Sequence, residues 1–584
     1  MKKYLIKTVL AISILIGSYS CTELDLIQED AASSSTWYTT PDHFRQSVNE
    51  LYRVDFWLED KSSNGMSDNF QRRDALDAIK AGTLSSEDDR AANNWSLMYR
   101  AITRANVVAE ALANQDGVLT ETMANSLRAE VNFSRASYWS YLITHFGDVP
   151  FYEGELTIDE SFELPRTNKT EILQKIYEFY DDASQNLPET YSGIQRATKG
   201  AAYALKARTA IYMGDYETAA DAAKAAIDLE VYELHPNYGD LFLPSTKNSP
   251  EIIFQIPRSI DLNETLGGVQ DHLPRNVGGW AARTPTWELL GSYEMVDGLP
   301  IDESPLFDPK NPFKNRDPRL AETIVPFGSQ EDGDGLQPDS GSRFLGYEYN
   351  PHPEHKEVTN YFTGDLTRNN DTRSVGPFAS FTGLLWKKGI NEEWVGNRAD
   401  PNKIIIRYAD VLLMYSEAKI ELNEIDESVL AALNKVRDRA YANSAHENPA
   451  VTTTDQDELR LKIRNERRSE FAFEGLRYMD LIRWKLAEEA LTGFTYGLAS
   501  VSSNPDVDAS PTGDLIDNVV GPNLWFWGMV PDIDENGLPR FDHLVNANMA
   551  RVLNKISFPE RQYLWPIPGN EILLNSNLTQ NPGY

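Results

Sequence analysis

The feature that most restricts the fold is an alanine-rich helical pair, "ATKGAAYALKARTAIYMGDYETAADAAKAAIDLE", at residues 197–230. Small residues recur at helical spacing on both sides of a Gly-Asp turn, for example Ala204 and Ala207 before Gly214 and Ala223 after it. Small side chains at these positions let two antiparallel helices approach closely. One such hairpin cannot bury its own apolar face, so the sequence predicts that further helices stack against it.

This pair resembles a tetratricopeptide hairpin, a helix–turn–helix unit of about 34 residues. Asn93 and Asn94 are predicted to cap the start of an earlier helix, and Gly147 is predicted to end another. A second block of helical periodicity lies near the end of the chain and is interrupted at Gly475. The predicted fold class is therefore mainly α, with the periodic stretches at residues 93–114, 126–147, 169–188, 197–230, 404–424, 428–442 and 456–491.

Between the helical blocks the chain becomes rich in Gly, Pro, Asn and Asp, with a few short extended pieces such as "EIIFQI". We divide the mature chain into helical hairpins at 40–233, a loop-rich insertion at 234–403, helical hairpins at 404–492, and a second insertion with the C-terminal segment at 493–584. Long loops are usually functional or disordered, and disordered segments are poor in aromatic residues. The first insertion is predicted to form a ligand face because it contains Trp280, Trp287, Tyr293, Tyr347, Tyr349, Tyr361, Trp386 and Trp394.

The single cysteine, Cys21, excludes any intramolecular disulfide or multi-cysteine metal site. It follows a basic start, a short apolar run of about ten residues and a few small residues, which is the order of a secretory signal. The apolar run is too short to span a bilayer as a helix. The segment resembles a bacterial lipoprotein signal peptide, with residues 1–20 removed and Cys21 acylated. An ordinary signal peptide with an incidental cysteine is the alternative. After Cys21, the acidic cluster Glu23, Asp25, Glu29 and Asp30 resembles the tag that sends such lipoproteins to the cell surface, which predicts an outer-membrane protein that faces the cell exterior.

The formal net charge of −33 opposes binding to nucleic acid and favours a neutral partner. A local basic patch such as Arg72–Arg73 could override the net figure. Aromatic residues make up 11% of the chain and include twelve tryptophans. An exposed tryptophan suits the apolar C–H face of a sugar ring, so composition points to a neutral oligosaccharide or polysaccharide as ligand.

Four ordered segments carry a specific family resemblance: "RTPTWELLGSYEMVDGLPI", "IIIRYADVLLMYSEAKIELN", "IRNERRSEFAFEGLRYMDLIRW" and "RQYLWPIPGNEILLNSNLTQNPGY". They resemble the successive signatures of the SusD/RagB family of surface glycan-binding lipoproteins. The resemblance implies a scaffold of about four tetratricopeptide-like units with a loop-rich face built over it. It also implies a non-enzymatic partner of a SusC-like TonB-dependent outer-membrane transporter, to which the protein delivers oligosaccharide.

Trp280 in "PRNVGGWAARTP" is the leading candidate for sugar stacking, because two glycines and two alanines leave its indole little local cover. A packed loop anchor is the alternative. Asp68 and Asn69 are predicted to take sugar hydroxyls, and Trp95 to stack, although capping and core packing are alternative roles. Two weaker candidates complete the predicted glycan-binding set, Arg368 and Trp394.

Two other function classes remain open, a surface glycoside hydrolase and a helical-repeat scaffold that binds only protein. A hydrolase needs two suitably spaced carboxylates, and Glu470 and Glu474 would share a helix face. We expect Arg467 and Arg477 to keep both carboxylates ionised, which is unsuitable for an acid catalyst. No catalytic residue is therefore assigned.

A cation site is predicted in "DIDENGLPRFDH", where Asp532, Asp534 and Asn536 have the spacing of oxygen ligands in a calcium loop. The twelfth position, usually a bidentate Glu, is His543. An ordinary Asx-rich turn is the favoured alternative. No cofactor is required by the predicted function, and calcium would have a structural role only.

Overall fold

The computed structural model describes residues 37–58, 61–73, 75–191, 195–328, 341–501 and 513–584. The predicted signal segment and Cys21 lie outside the described residues. The architecture is mainly helical with small strand pairs, which confirms the predicted fold class. The helices are α1 Pro41–Asn49, α2 Asp89–Ala113, α3 Glu121–Phe146, α4 Ile158–Ser161, α5 Lys169–Asn186, α6 Lys199–Met213, α7 Tyr216–Ile227, α8 Trp287–Ser292, α9 Arg319–Thr323, α10 Tyr408–Glu421, α11 Glu427–Tyr441, α12 Gln456–Glu470, α13 Arg477–Arg483, α14 Ala487–Ala490, α15 Asp542–Asn546 and α16 Gly569–Leu574.

The strands of the described residues form two-stranded antiparallel pairs rather than one extended sheet. The two short apolar pieces that flank the first insertion pair with each other, which brings the ends of that insertion together. The pairs are β1 Phe70–Arg72 with β3 Arg283–Pro285, β2 Ile252–Ile256 with β8 Lys403–Arg407, β4 Ser342–Phe344 with β5 Tyr347–Tyr349, β6 Glu357–Thr359 with β7 Leu366–Arg368, β9 Gly493–Leu498 with β12 Ala550–Ile556, and β10 Asp532–Ile533 with β11 Pro539–Arg540.

The long helices α2, α3, α5, α6 and α7 pack on one another in that order, and α7 packs directly on α10, which follows the first insertion and also contacts α11 and α12. The alanine-rich pair α6–α7 turns as predicted, because Gly214 takes a positive φ of 78° and Asp215 accepts the Thr218 N–H at 3.1 Å. The predicted start of α2 was wrong. Asp88 caps that helix by accepting the N–H groups of Arg90 and Ala91, so the helix begins before Asn93.

The insertions build a hydrophobic core of their own beside the helical core. Trp287, Trp386 and Trp394 are fully buried in this second core, together with Tyr293. Most of the aromatic residues that led us to predict an aromatic ligand face in the first insertion therefore pack internally. They give the loops a rigid base, and a small number of rings remain at the surface.

Buried ion pairs join the helical scaffold to the insertions. Glu470, at the end of α12, is completely buried and accepts from Arg407 at 2.6 Å and Arg319 at 2.9 Å, with Arg439 as a third partner. Burial favours a raised pKa for Glu470, but the three guanidinium groups outweigh burial and hold its pKa well below the usual range. An acid catalyst needs the opposite shift.

Glu470 and Glu474 lie in ion pairs as expected, but the predicted partners, Arg467 and Arg477, were wrong. Arg467 pairs with Asp410 at 2.8 Å and Asp480 at 3.1 Å rather than with Glu470. Glu474 pairs instead with cations from β8 and the insertion, and Arg477 pairs with Asp68. Sequence spacing identified charges on one helix face, whereas the partners come from distant segments.

Within the described ranges, no helix combines the length and the apolar character needed to cross a membrane.

Candidate functional site: an aromatic face beside a polar cleft

Trp280 stands half-exposed at the surface of the first insertion, with 49% of its area accessible. Its backbone is fixed, because its N–H donates to the Gln270 carbonyl at 2.8 Å and the following Ala281 N–H donates to Leu273 at 3.0 Å. Gly279 lies against the Leu273 carbonyl so closely that an added Cβ would meet its oxygen at 2.2 Å. The exposure expected from the glycines and alanines around Trp280 is confirmed, and its role in sugar binding stays a prediction.

The loop at residues 369–378 holds the loop that carries Trp280 in place. The carboxylate of Asp371 accepts the backbone N–H of Arg275 at 2.6 Å and that of Asn276 at 3.1 Å. In the other direction, the side-chain oxygen of Asn276 accepts the backbone N–H of Asn370 at 2.8 Å. Burial raises the pKa of Asp371 to about 6, although the two amide groups favour its ionised form. These bonds fasten the 275–281 loop to the 369–378 loop.

Arg73 connects the two loops at the surface. Its Nη1 donates to the Trp280 carbonyl at 2.7 Å and to the Phe378 carbonyl at 2.7 Å. Its guanidinium also lies 5.2 Å from the centre of the Phe378 ring, which is 56% exposed. Trp280 and Phe378 are thus two exposed rings held by one side chain, and we call them the aromatic face.

A cleft of about 570 Å³ adjoins the strand pair that leads away from Trp280. Arg72 of β1 and Arg283 of β3 lie directly opposite each other in the antiparallel register and both line the cleft. Gln71, next to Arg72, is nine-tenths buried and its Oε1 has no hydrogen-bond partner among the described residues. Thr495 and Asn554 of the β9–β12 pair complete this polar wall. Amide, hydroxyl and guanidinium groups of this kind suit sugar hydroxyl groups.

Asp68 and Asn69 do not reach the surface, which corrects their predicted role as sugar ligands. Asp68 is buried and makes two parallel bonds of 2.9 Å with Arg477, and Arg468 adds a further ion pair at 2.9 Å. Asn69 accepts from Arg468 at 2.8 Å. Burial favours a raised pKa for Asp68, but the two arginines outweigh burial and hold its pKa well below the usual range. The pair positions the chain just before β1 and so acts on the site indirectly.

Trp95 and Trp394 were also wrongly predicted to lie on the binding face. Trp95 is 3% exposed and packs in the helical core, 5.2 Å from Phe146 between ring centres. Because α2 begins at Asp89 rather than near Asn93, Trp95 lies within the helix and not at its exposed start. Trp394 is 1% exposed and belongs to the second core.

Arg368 is exposed at the end of β7 and donates to the Val375 carbonyl at 3.1 Å. It therefore lies on the loop that carries Phe378, and its contact with a glycan stays a prediction.

The residues of the predicted calcium loop form the β10–β11 hairpin turn. Asp534 accepts the N–H groups of Asn536 at 3.0 Å and Leu538 at 2.9 Å, and pairs with Arg540 at 2.6 Å. This arrangement favours the Asx-turn alternative. In the part of the chain that the structure describes, no group of three or more His, Cys, Asp or Glu side chains is placed to hold a metal. Calcium binding stays a prediction.

Sequence reasoning missed Phe378 and the bridging role of Arg73. It also missed Phe362, which is exposed next to Tyr361 at the turn of the β6–β7 hairpin, although Tyr361 was among the aromatic residues predicted to form the ligand face. No periodic signal marks single aromatic residues in irregular loops. The one available signal was the basic dipeptide Arg72–Arg73 in an acidic chain.

The fold and the site together define a class of protein in which a helical-repeat scaffold carries an aromatic face built from long insertions. The SusD family matches residues 250–584, more than half of the chain, and the description "Starch-binding associating with outer membrane" matches residues 38–212. The chain belongs to the SusD family, a carbohydrate-binding family.

Individual relatives agree along nearly the whole length. The chain is 24% identical to SusD-like protein P25 of Formosa agariphila over 531 residues, covering 84% of this chain and 92% of that protein. It is 24% identical to SusD-like protein P2 of the same organism over 624 residues, with both chains fully covered. A SusD-like carbohydrate binding protein from Bacteroides fragilis NCTC 9343 has a similar structure, with a TM-score of 0.74 and 27% identity, covering 93% of this chain and all of that one.

Proposed function

We propose that this protein is a non-enzymatic, lipid-anchored glycan-binding protein of the outer cell surface, and that it delivers captured oligosaccharide or polysaccharide to a SusC-like TonB-dependent transporter. The observation that carries the proposal is the half-exposed indole of Trp280, fixed by backbone bonds and bridged through Arg73 to the exposed ring of Phe378. Exposed aromatic rings on a fixed backbone, next to a polar cleft, are typical of a ligand-binding surface.

Sugar binding by this face would combine ring stacking with hydroxyl hydrogen bonds. A pyranose places its C–H face on an indole and leaves its hydroxyl groups at the edge, where the adjoining cleft offers amide and guanidinium groups. Because both loops are held by internal bonds before ligand arrives, little conformational entropy is lost on binding. Affinity per site is expected to be modest, which permits release to a transporter.

The carboxylate pair weighed for hydrolysis supports a binding role instead. Glu470 is buried within ion pairs, and Glu474 pairs with Arg407 and Lys388, each at 2.6 Å. Burial favours a raised pKa for Glu474, but these two cations hold its pKa below the usual value. Neither carboxyl can hold a proton for donation to a glycosidic oxygen near neutral pH.

The test incubates the purified protein with soluble glucans, fructans and mannans and follows both retention and chain length. Retention without shortening supports the proposal, and shortened products support a hydrolase. The absence of both retention and shortening supports a protein-binding scaffold. Trp280→Ala should abolish or strongly weaken retention. Phe162→Ala is the matched control, because Phe162 is 42% exposed but follows α4, away from the aromatic face. Equal loss in both variants would contradict a specific face.

The membrane anchor and the partner need separate experiments. Cells fed an alkyne-labelled fatty acid should label the wild-type protein but not Cys21→Ser, and surface protease should degrade only the former in intact cells. A TonB-dependent transporter should co-purify with the wild-type protein from detergent-solubilised outer membranes. An unlabelled wild-type protein would contradict the lipid anchor. A preparation without a transporter would contradict the proposed partner.

A further inference from the structure

Two arginines face each other at the edge of the polar cleft. Arg72 and Arg283 are cross-strand partners in the β1–β3 pair, and both line the same cavity. Like charges placed directly opposite each other on neighbouring strands are destabilising. Asp271 pairs with Arg283 at 2.9 Å, and Arg72, which is exposed, has contacts of its own. The pair concentrates positive charge immediately beside the segment that carries Trp280.

Further cations surround the aromatic face in a chain whose net charge is −33. Each of these cations donates a hydrogen bond to a backbone carbonyl in one of the two loops. The bond positions the loop, and because a carbonyl is neutral the positive charge of the cation is not cancelled. The contacts are Arg73 to Trp280 and Phe378, Arg275 to Gly279 and Arg368 to Val375, and the buried Arg373 donates to Pro377 beneath them.

The acidic groups nearest this surface are already engaged. Asp271 pairs with Arg283, and Asp371 is buried and accepts two backbone N–H groups. Glu357 lies opposite Arg368 in the β6–β7 pair. Asp74 follows Arg73 in the sequence and lies outside the described residues.

Four acidic residues also line the cleft, and two of them have partners that the structure defines. Asp77 binds Arg90 through both oxygens, and Asp88 caps the start of α2. Glu87 and Asp89 are the other two acids that line the cleft. The cleft therefore takes arginines from the β1–β3 pair, which lies close in sequence to Trp280, and carboxylates from the segment that leads into α2.

We infer that the glycan bound here carries anionic substituents, carboxylate or sulfate, which Arg72 and Arg283 receive while an adjoining sugar ring stacks on Trp280. This inference rests on the proposed function and revises the expectation of a neutral ligand that net charge alone suggested. Guanidinium groups bind planar carboxylates and sulfate oxygens through paired hydrogen bonds, which neutral hydroxyl groups cannot match in strength. The unpartnered Gln71 Oε1 in the same wall accepts a neighbouring hydroxyl group.

The experiment uses matched polymers that differ only in charge. Polygalacturonate is compared with its carboxyl-reduced form, and a sulfated galactan with its desulfated form, by affinity electrophoresis and calorimetry on the full mature chain. The charged member of at least one pair should bind about tenfold more tightly, because a hydrogen bond to a charged group contributes more than a neutral one. The pair that shows the difference identifies carboxylate or sulfate as the substituent.

Salt and variants provide independent readouts. Raising ionic strength from about 0.05 M to 0.5 M should weaken binding of the charged polymer and leave the neutral polymer almost unaffected. The double variant Arg72→Gln/Arg283→Gln should remove most of the preference for the charged polymer over its neutral form. The control is Lys175→Gln/Lys224→Gln, which removes two exposed cations from the helical scaffold. Circular dichroism spectra establish that both double variants are folded.

The outcomes separate this inference from the proposed function. Equal affinity for charged and neutral polymers, or an unchanged preference in the Arg72/Arg283 variant, overturns the anionic ligand while Trp280-dependent binding still supports glycan capture. Failure of every polymer to bind the wild-type protein overturns both. A preference lost equally in the lysine control would indicate a general charge effect and also overturns the inference.

Discussion

The guanidinium of Arg73 donates to the carbonyl oxygen of Trp280 at 2.7 Å, although the residues are 207 positions apart in the chain. The same nitrogen reaches Phe378. The backbone that carries the exposed aromatic rings is therefore bridged by a side chain from an entirely different part of the sequence, the residue that follows β1. This relationship makes the aromatic face a product of the whole fold rather than of one loop.

Replacing Arg73 with alanine should weaken glycan binding about tenfold, because bonds from a charged donor to two carbonyl groups are lost and both loops gain freedom. The indole itself remains. Isothermal titration measures the affinity, and Arg73→Lys should recover part of it since an ammonium can donate to one of the two carbonyls. Unchanged affinity in Arg73→Ala would show that the loops hold the rings without this bridge.

Trp95→Ala should show the opposite behaviour to Trp280→Ala. Truncating a buried tryptophan removes about 3–5 kcal/mol of folding free energy, whereas the aromatic face is left intact. We expect a clearly lower unfolding midpoint and normal affinity in the folded fraction. Trp280→Ala should keep the midpoint and lose affinity. A loss of affinity in folded Trp95→Ala would restore that residue to the site.

Glu470→Gln should lower the free energy of unfolding by about 3–5 kcal/mol, because three buried guanidinium groups lose their shared carboxylate. The pKa of Glu470 lies below its unfolded value, so its ion pairs stabilise the fold above about pH 4 and are lost as the pH falls further. The difference from wild type should therefore shrink in acid. Denaturant midpoints over a pH series measure it, and a constant difference would contradict the assignment.

Asp371 should give stability the opposite dependence on pH. Burial raises its pKa to about 6, so the folded state binds a proton more readily than the unfolded chain. Its contribution is largest below about pH 4 and declines, by roughly 3 kcal/mol, as the pH rises to 6 and above. The Asp371→Asn variant should lack this decline. Parallel curves for the two proteins between pH 4 and 7 would refute a raised pKa.

Calcium should leave the unfolding temperature unchanged if Asp534 serves only its turn and Arg540. A rise on adding the ion that is absent in Asp534→Ala would instead support the calcium loop. Differential scanning fluorimetry with and without chelator measures both variants, and magnesium is the ionic-strength control.

The helical scaffold was predictable because its signals are local. Periodic small residues and the Gly214–Asp215 turn specify the α6–α7 hairpin within about 34 residues. The start of α2 was misplaced because two good capping residues, Asn93 and Asn94, follow the acidic cap that the fold actually uses, Asp88. Capping preference alone does not choose among neighbouring candidates.

The binding face was only partly predictable because burial of loop aromatics depends on distant packing. Trp280 was correctly expected to be exposed from its small neighbours, whereas Trp394 and Trp95 have surroundings that only the folded chain reveals. The prediction for Asp68 was wrong for a similar reason, because its arginine partners lie about 400 positions away in the sequence. Long-range ion pairs leave no periodic trace in a single sequence.

The close contact between Gly279 and the Leu273 carbonyl limits how this protein can change its ligand over time. Any larger residue at position 279 would push the backbone outward and carry the indole with it, so the height of the stacking surface is effectively fixed. New specificity is then expected to arise on the facing 369–378 loop and in the adjoining cleft, where side chains can be exchanged without moving that surface.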